Sequence, residues 1–131
     1  MSTFTSVLLL DDNEDDNFIH ERYIRRVEWA EEIIVFEEAE LALDYLKNTT
    51  EMPQIIFIDV NMPVMNGFQF LDKASEAGVP LSRAQVVMVT SSLHPDDCQR
   101  AAEHPLVNEY LNKPIDADAL NALAARLLNQ V

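Results

Sequence analysis

Apolar and polar positions fall in blocks along the chain. Short apolar runs at residues 7–10, 33–36, 55–58 and 86–89 each stop at a polar residue: Asp11, Glu37, Asp59 and Thr90. Such a run, without internal alternation, is the pattern of a strand buried on both faces of a parallel sheet. Residues 107–111 read as a fifth strand, leading into Asn112, Lys113 and Pro114. Between these segments the period changes to that of a helix. Ile19, Tyr23, Val27 and Ala30 recur at helical spacing, and Leu43 and Leu46 mark a second helix over 39–47. Phe68, Leu71 and Ser75 share one face of a third over 68–77, a fourth opens at Pro95, and Leu120, Leu123, Leu127 and Leu128 mark the last.

The boundaries have their own chemistry. Asn13 is a good N-cap, and Glu14, Asp15 and Asp16 place negative charge on a first helical turn, where the macrodipole favours it. Gly78 is a C-terminal stop, and Pro95 sits where a helix tolerates proline, with Asp96 and Asp97 in the turn it opens. Strands alternating with helices predict an α/β fold with a parallel sheet covered on both faces. Right-handed crossovers and short connections favour the flavodoxin-like (βα)5 doubly wound arrangement, five strands in the order 2-1-3-4-5. Its ligand crevice lies beyond the carboxyl ends of strands one and three.

Residues 54–67, QIIFIDVNMPVMNG, hold the centre of that arrangement. Asp59 cannot share the burial of Ile55, Ile56, Phe57 and Ile58 while charged and unpaired, because an isolated ion in apolar surroundings is strongly destabilised. It is therefore expected where the strand emerges into a polar crevice. Taken alone, the stretch equally fits a strand that merely ends at a loop-entry Asp.

Composition narrows the classes. At 131 residues, 48% hydrophobic and 24% charged, the chain reads as one globular domain. No apolar run reaches the ~18 residues of a membrane span, and the start has no basic segment of a signal peptide. The single Cys98 forms no internal disulfide, in keeping with a cytoplasmic protein. Nine basic residues against 23 acidic ones give a formal net charge of -14, which argues against direct binding of nucleic acid or anionic membrane.

On the predicted frame, Asp11 and Asp12 end strand one, Asp59 ends strand three, Thr90 ends strand four, and Lys113 follows strand five. Three carboxylates at one sheet edge repel one another and need a cation or raised pKa values. Hard oxygen ligands with room for water suit Mg²⁺. A metal beside a carboxylate, a lysine and a hydroxyl is the equipment of phosphoryl transfer.

These residues, with Gly67 and Pro114, carry a resemblance over nearly the whole chain: it is similar to the receiver domains of two-component response regulators, of the stand-alone, chemotaxis-regulator-like kind. The resemblance implies that Asp59 accepts a phosphoryl group from a histidine kinase or histidine phosphotransfer protein. Asp12, Asp59 and the backbone carbonyl of Asn61 would ligate Mg²⁺, with Asp11 acting through a water. Lys113 would pair with Asp59, Thr90 would contact the phosphoryl group, and Tyr110 would be an aromatic switch on the face of helix four, strand five and helix five. Asn61 and Ser92 would occupy variable positions that tune phosphoryl lifetime, and the Lys113-Pro114 bond would be cis. The expectation is a single receiver domain over residues 1–131 with no output domain, catalysing only its own phosphotransfer and dephosphorylation.

Two alternatives belong to other classes. A Mg²⁺-dependent aspartyl phosphohydrolase would carry a second Asp where Asn61 stands, and Asn61 cannot move a proton. A phosphorylation-independent interaction module resembling a receiver would usually lack one of the key residues, and all are present. The remaining polar residues receive structural readings: Glu14, Asp15 and Asp16 as helix-start charges, and His20, His94 and His104 as surface residues. Met62 and Met65 are expected to pack the loop under the site, Cys98 to be half-buried, and Trp29 to be a wedge at the end of the first helix.

Overall fold

The computed structural model describes residues 2–91 and 95–128. Its order is β1 (Phe4–Leu10), α1 (Glu14–Arg26), β2 (Ala30–Phe36), α2 (Ala39–Asn48), β3 (Ile55–Asp59), α3 (Gly67–Glu76), a 3₁₀ turn (Leu81–Arg83), β4 (Gln85–Thr90), α4 (Pro95–Glu103), β5 (Val107–Asn112) and α5 (Ala117–Leu128). The five strands are parallel in the order β2-β1-β3-β4-β5, the flavodoxin-like arrangement that the sequence predicts. The calls on Ser92 and His94, and the end of the last helix, lie outside the described residues.

Alternation within each strand divides the core in two. Leu8, Leu10, Ile56, Ile58, Val86 and Met88 point to one side, where Leu46, Phe68, Leu71 and Ala101 cover them. Val7, Leu9, Ile55, Phe57, Val87 and Val89 point to the other, under Ile24, Leu120, Leu123 and Leu127. Helices α2, α3 and α4 thus cover one face, and α1 and α5 the other. Each fully buried Leu, Ile or Phe contributes roughly 1.5–3 kcal/mol relative to leaving it exposed. Trp29 is the wedge expected of it: it packs on Phe4 and Phe57 and donates its indole N–H to the Leu120 carbonyl at 2.9 Å. Met62 and Met65 are buried in the α2–α3 side of the core.

Three helix faces differ from the sequence reading. In α1 the buried set is Asn17, His20 and Ile24, while Ile19 is exposed and Ala30 belongs to β2. Asn17 and His20 sit inward because the start of α1 lies over the polar strand ends, so polarity there does not mean solvent. In α3, Phe70, Leu71 and Ala74 centre the buried stripe, which rotates Ser75 out to solvent. In α2, Ala42 and Leu46 are buried and Leu43 only partly so.

Asn66 caps α3 with a full capping box, its side chain accepting from the Gln69 amide and that of Gln69 from the Asn66 amide. Gly67, next in the chain, lies against the end of β3. A Cβ there would meet the Asp59 carbonyl oxygen at 2.7 Å and the Met88 methyl at 2.6 Å. The methionine can yield, but the backbone carbonyl cannot without moving the strand that carries Asp59. Gly67→Ala is therefore expected to destabilise the fold by about 1–3 kcal/mol, as overpacking does, despite alanine's better helix propensity. Urea unfolding with an unchanged midpoint would contradict this close approach.

Candidate functional site

The strands end in register, and their first polar residues therefore converge. β1 and β3 are neighbours, so Asp11 and Asp12 emerge beside Asp59, and oxygens of all three carboxylates lie within 4.8 Å of one another. Asp11 and Asp59 are buried and Asp12 is exposed. The Asp11 carboxylate accepts from the Asn13 amide at 2.9 Å, and that of Asp59 from the Asn61 amide at 3.3 Å. Thr90 is fully buried at the end of β4, and its hydroxyl accepts from the Asn61 side-chain amide at 3.4 Å. The Lys113 amide donates to the Thr90 carbonyl at 2.7 Å, extending the β4–β5 ladder to the lysine. The Lys113-Pro114 peptide is cis.

The Lys113 ammonium is the positive centre of this edge. It lies 2.5 Å from Asp11, 2.8 Å from Asp16 and 3.7 Å from Asp59. The pairing with Asp59 expected from the sequence is thus the longest of three. The helix-start reading of Asp16 is incomplete, because that carboxylate reaches back from the first turn of α1 to the lysine. Burial opposes the charge on Lys113, but Asp11, Asp16 and Asp59 outweigh it, and its pKa stands above the ordinary value.

The surface reading of His20 is wrong. It is buried, and its pKa is lowered by burial first and Lys113 second, with Asp11 and Asp16 opposing. Asn17, also inward, donates to the Asp11 carbonyl at 2.9 Å. The sequence signal for both is the i, i+3, i+7 series Asn17, His20, Ile24, which looks unattractive only when polarity is equated with exposure. His104 is half-buried and 3.3 Å from the Asp72 carboxylate.

Tyr110 is not part of the cluster. It sits on β5 opposite Met88, and its buried hydroxyl has no hydrogen-bond partner among the described residues. Burial, with Cys98 and Asp97 of α4 adding, pushes its phenol up to about 12. Cys98 is half-buried, as expected.

Over residues 7–125 the chain matches the response regulator receiver domain family. The chain belongs to that family. Across 126 residues, 95% of its length, this receiver domain is 29% identical to an uncharacterized response regulatory protein of Vibrio cholerae, and it spans 49% of that relative. It is 29% identical over 84 residues to the sensor histidine kinase CheAY of Helicobacter pylori, matching 64% of this chain and 10% of the kinase. A two-component response regulator from Cytophaga hutchinsonii superposes with a TM-score of 0.86 at 35% identity, covering 96% of this chain and 98% of that one. No helix among the described residues is long and apolar enough to cross a membrane.

Receiver domains bind a divalent cation at this edge, and the carboxylates here fit one: they offer hard oxygens from three side chains, one of them open to solvent. Their mutual repulsion is visible in Asp59, whose pKa is raised to about 7 by burial first and Asp11 second, against the pull of Lys113. That value exceeds the ordinary 3.8. The folded state therefore binds the proton more tightly, and its stability falls as pH rises through that interval. In metal-free buffer with EDTA, Asp59→Asn is expected to stabilise the fold at pH 8 by on the order of 1–3 kcal/mol, and by much less at pH 4. Equal effects at the two pH values in thermal melts would contradict the placement of a strained carboxylate here.

Proposed function

We propose that this receiver domain is a phosphoryl acceptor of a two-component phosphorelay, with Asp59 as the acceptor and Mg²⁺ as its cofactor. The observation that carries the reading is the meeting of Asp11, Asp12 and Asp59, with the Lys113 ammonium beside Asp11 and Asp59. The donor is a sensor histidine kinase or a histidine phosphotransfer protein, and the similarity to CheAY, a sensor histidine kinase by name, supports that class of partner.

In the transfer, an Asp59 carboxylate oxygen attacks the phosphorus of the donor's phosphoimidazole. A P–O bond forms, the P–N bond breaks, and the leaving imidazole nitrogen keeps the electron pair. Asp12, Asp59 and the Asn61 backbone carbonyl would hold Mg²⁺, with Asp11 acting through a water. Bound there, the cation neutralises charge on the transferring oxygens. Lys113 offers a second positive charge to the same oxygens. Thr90, at the end of the adjacent strand, donates its hydroxyl to one of them.

Output follows from geometry on the β4–β5 side. A phosphoryl group on Asp59 adds charge and acceptor oxygens near Lys113 and Thr90. Movement of Thr90 frees space toward Tyr110, and the face of α4, β5 and α5 changes with it. The phosphoryl group shifts that balance only through its different interactions with the two states. The domain turns over no substrate beyond its own phosphotransfer and dephosphorylation. With a net charge of -14 it acts by docking on proteins in the cytoplasm, without binding nucleic acid or membrane.

Acetyl phosphate with Mg²⁺ should add one phosphoryl mass to the protein, and Asp59→Asn or EDTA should abolish it. Thr90→Ala should still be labelled, yet lose most of the beryllofluoride-induced amide shifts over residues 95–125. Labelling of Asp59→Asn equal to the parent would overturn the assignment.

A further inference from the structure

The Lys113 ammonium has three protons to donate, and the first turn of α1 takes one of them. Asp16 lies 2.8 Å from Lys113 Nζ, nearer than the 3.7 Å to Asp59. The lysine is only 10% exposed, whereas the Asp16 side chain is 32% exposed, so this carboxylate is the more solvated member of the pair. Its position is fixed from behind, since the Asp16 amide donates to the Asn13 side chain that caps the helix. Asp15, on the same turn, is exposed and carries the same charge.

We propose that Asp16 is a positioning residue that competes with Asp59 for Lys113, holding the lysine back from the acceptor until phosphoryl oxygens draw it across. The inference rests on the phosphoacceptor reading of Asp59 and adds to it a setting of the resting state. Charge-assisted hydrogen bonds to carboxylates and to phosphoryl oxygens are similar in kind and strength. A lysine released from Asp16 keeps its ion pair with Asp11 but has one more proton free for a phosphoryl group. Asp16 lowers the affinity of the site for that group, and so raises the threshold for the switch.

The experiment measures beryllofluoride affinity at saturating Mg²⁺ and physiological ionic strength, where exposed charges are screened. Asp16→Asn should tighten binding about three- to tenfold, the range that corresponds to the net contribution of one ordinary hydrogen bond, as befits a partly exposed pair. Asp16→Glu, which keeps the carboxylate, should stay near the parent, and Asp15→Asn should change affinity less than about twofold. A second readout needs no metal: Asp16→Asn should speed hydrogen exchange of the Lys113 ammonium several-fold by NMR. Should Asp16→Asn fail to fold, Asp16→Ser removes the same carboxylate. Parent-like or weaker affinity in the carboxylate deletion, an equal gain in Asp15→Asn, or unchanged ammonium exchange would each overturn the role of Asp16 alone. Failure of the parent to bind beryllofluoride would overturn the phosphoacceptor reading with it.

Discussion

One lysine pairs with Asp11 and Asp59 at a buried strand edge and with Asp16 at the start of α1, and the rest of the site depends on that arrangement. Asp11 and Asp59 are both buried, and like charges at such distances in a poorly solvated crevice repel strongly. Lys113 relieves part of that repulsion, chiefly for Asp11. Asp59 remains under stress, which its raised pKa records. A carboxylate in that condition gains from a divalent cation and from any group that spreads its charge.

The fold delivers these groups through strand register. Parallel pairing of β1 with β3 and of β3 with β4 brings Asp11, Asp59 and Thr90 out on the same edge. The β4–β5 ladder then carries Lys113 to it, through the hydrogen bond to the Thr90 carbonyl. On the other side of the site, Gly67 lets the start of α3 press against the backbone of Asp59. The Gly67 amide donates to the Val60 carbonyl at 2.9 Å, tying the intervening loop down at both ends. Asp59 is thus set between regular elements, with its solvent-facing neighbour, Asp12, on the rim.

The strand ends were legible because burial on both faces leaves an unbroken apolar run, and the residue that breaks it marks the crevice. Asp11, Asp59 and Thr90 stand out in that way, whereas Lys113 follows a strand of mixed, partly buried residues. The helix over the crevice was harder to read. Asn17 and His20 face inward because their neighbours are the polar strand ends, whereas Ile19 and Phe18 face solvent. A hydrophobic period finds the face that meets the apolar core, not the part of a helix that lies over a charged site. Asp16 was missed for a related reason: its role as a helix-start charge is sufficient by itself, and only the position of Lys113 reveals a second one. Tyr110 was placed correctly on its strand, but its buried hydroxyl beside α4 depends on packing that no local pattern encodes.

The central claim is that the crowded carboxylates form a divalent cation site, and calorimetric titration with Mg²⁺ at pH 8 tests it most directly. The parent should bind one ion. Asp12→Asn should weaken binding about tenfold or more, a change of about 1.4 kcal/mol, while Asp15→Asn should leave it near the parent. Parent-like Mg²⁺ binding in both Asp12→Asn and Asp59→Asn would contradict the account.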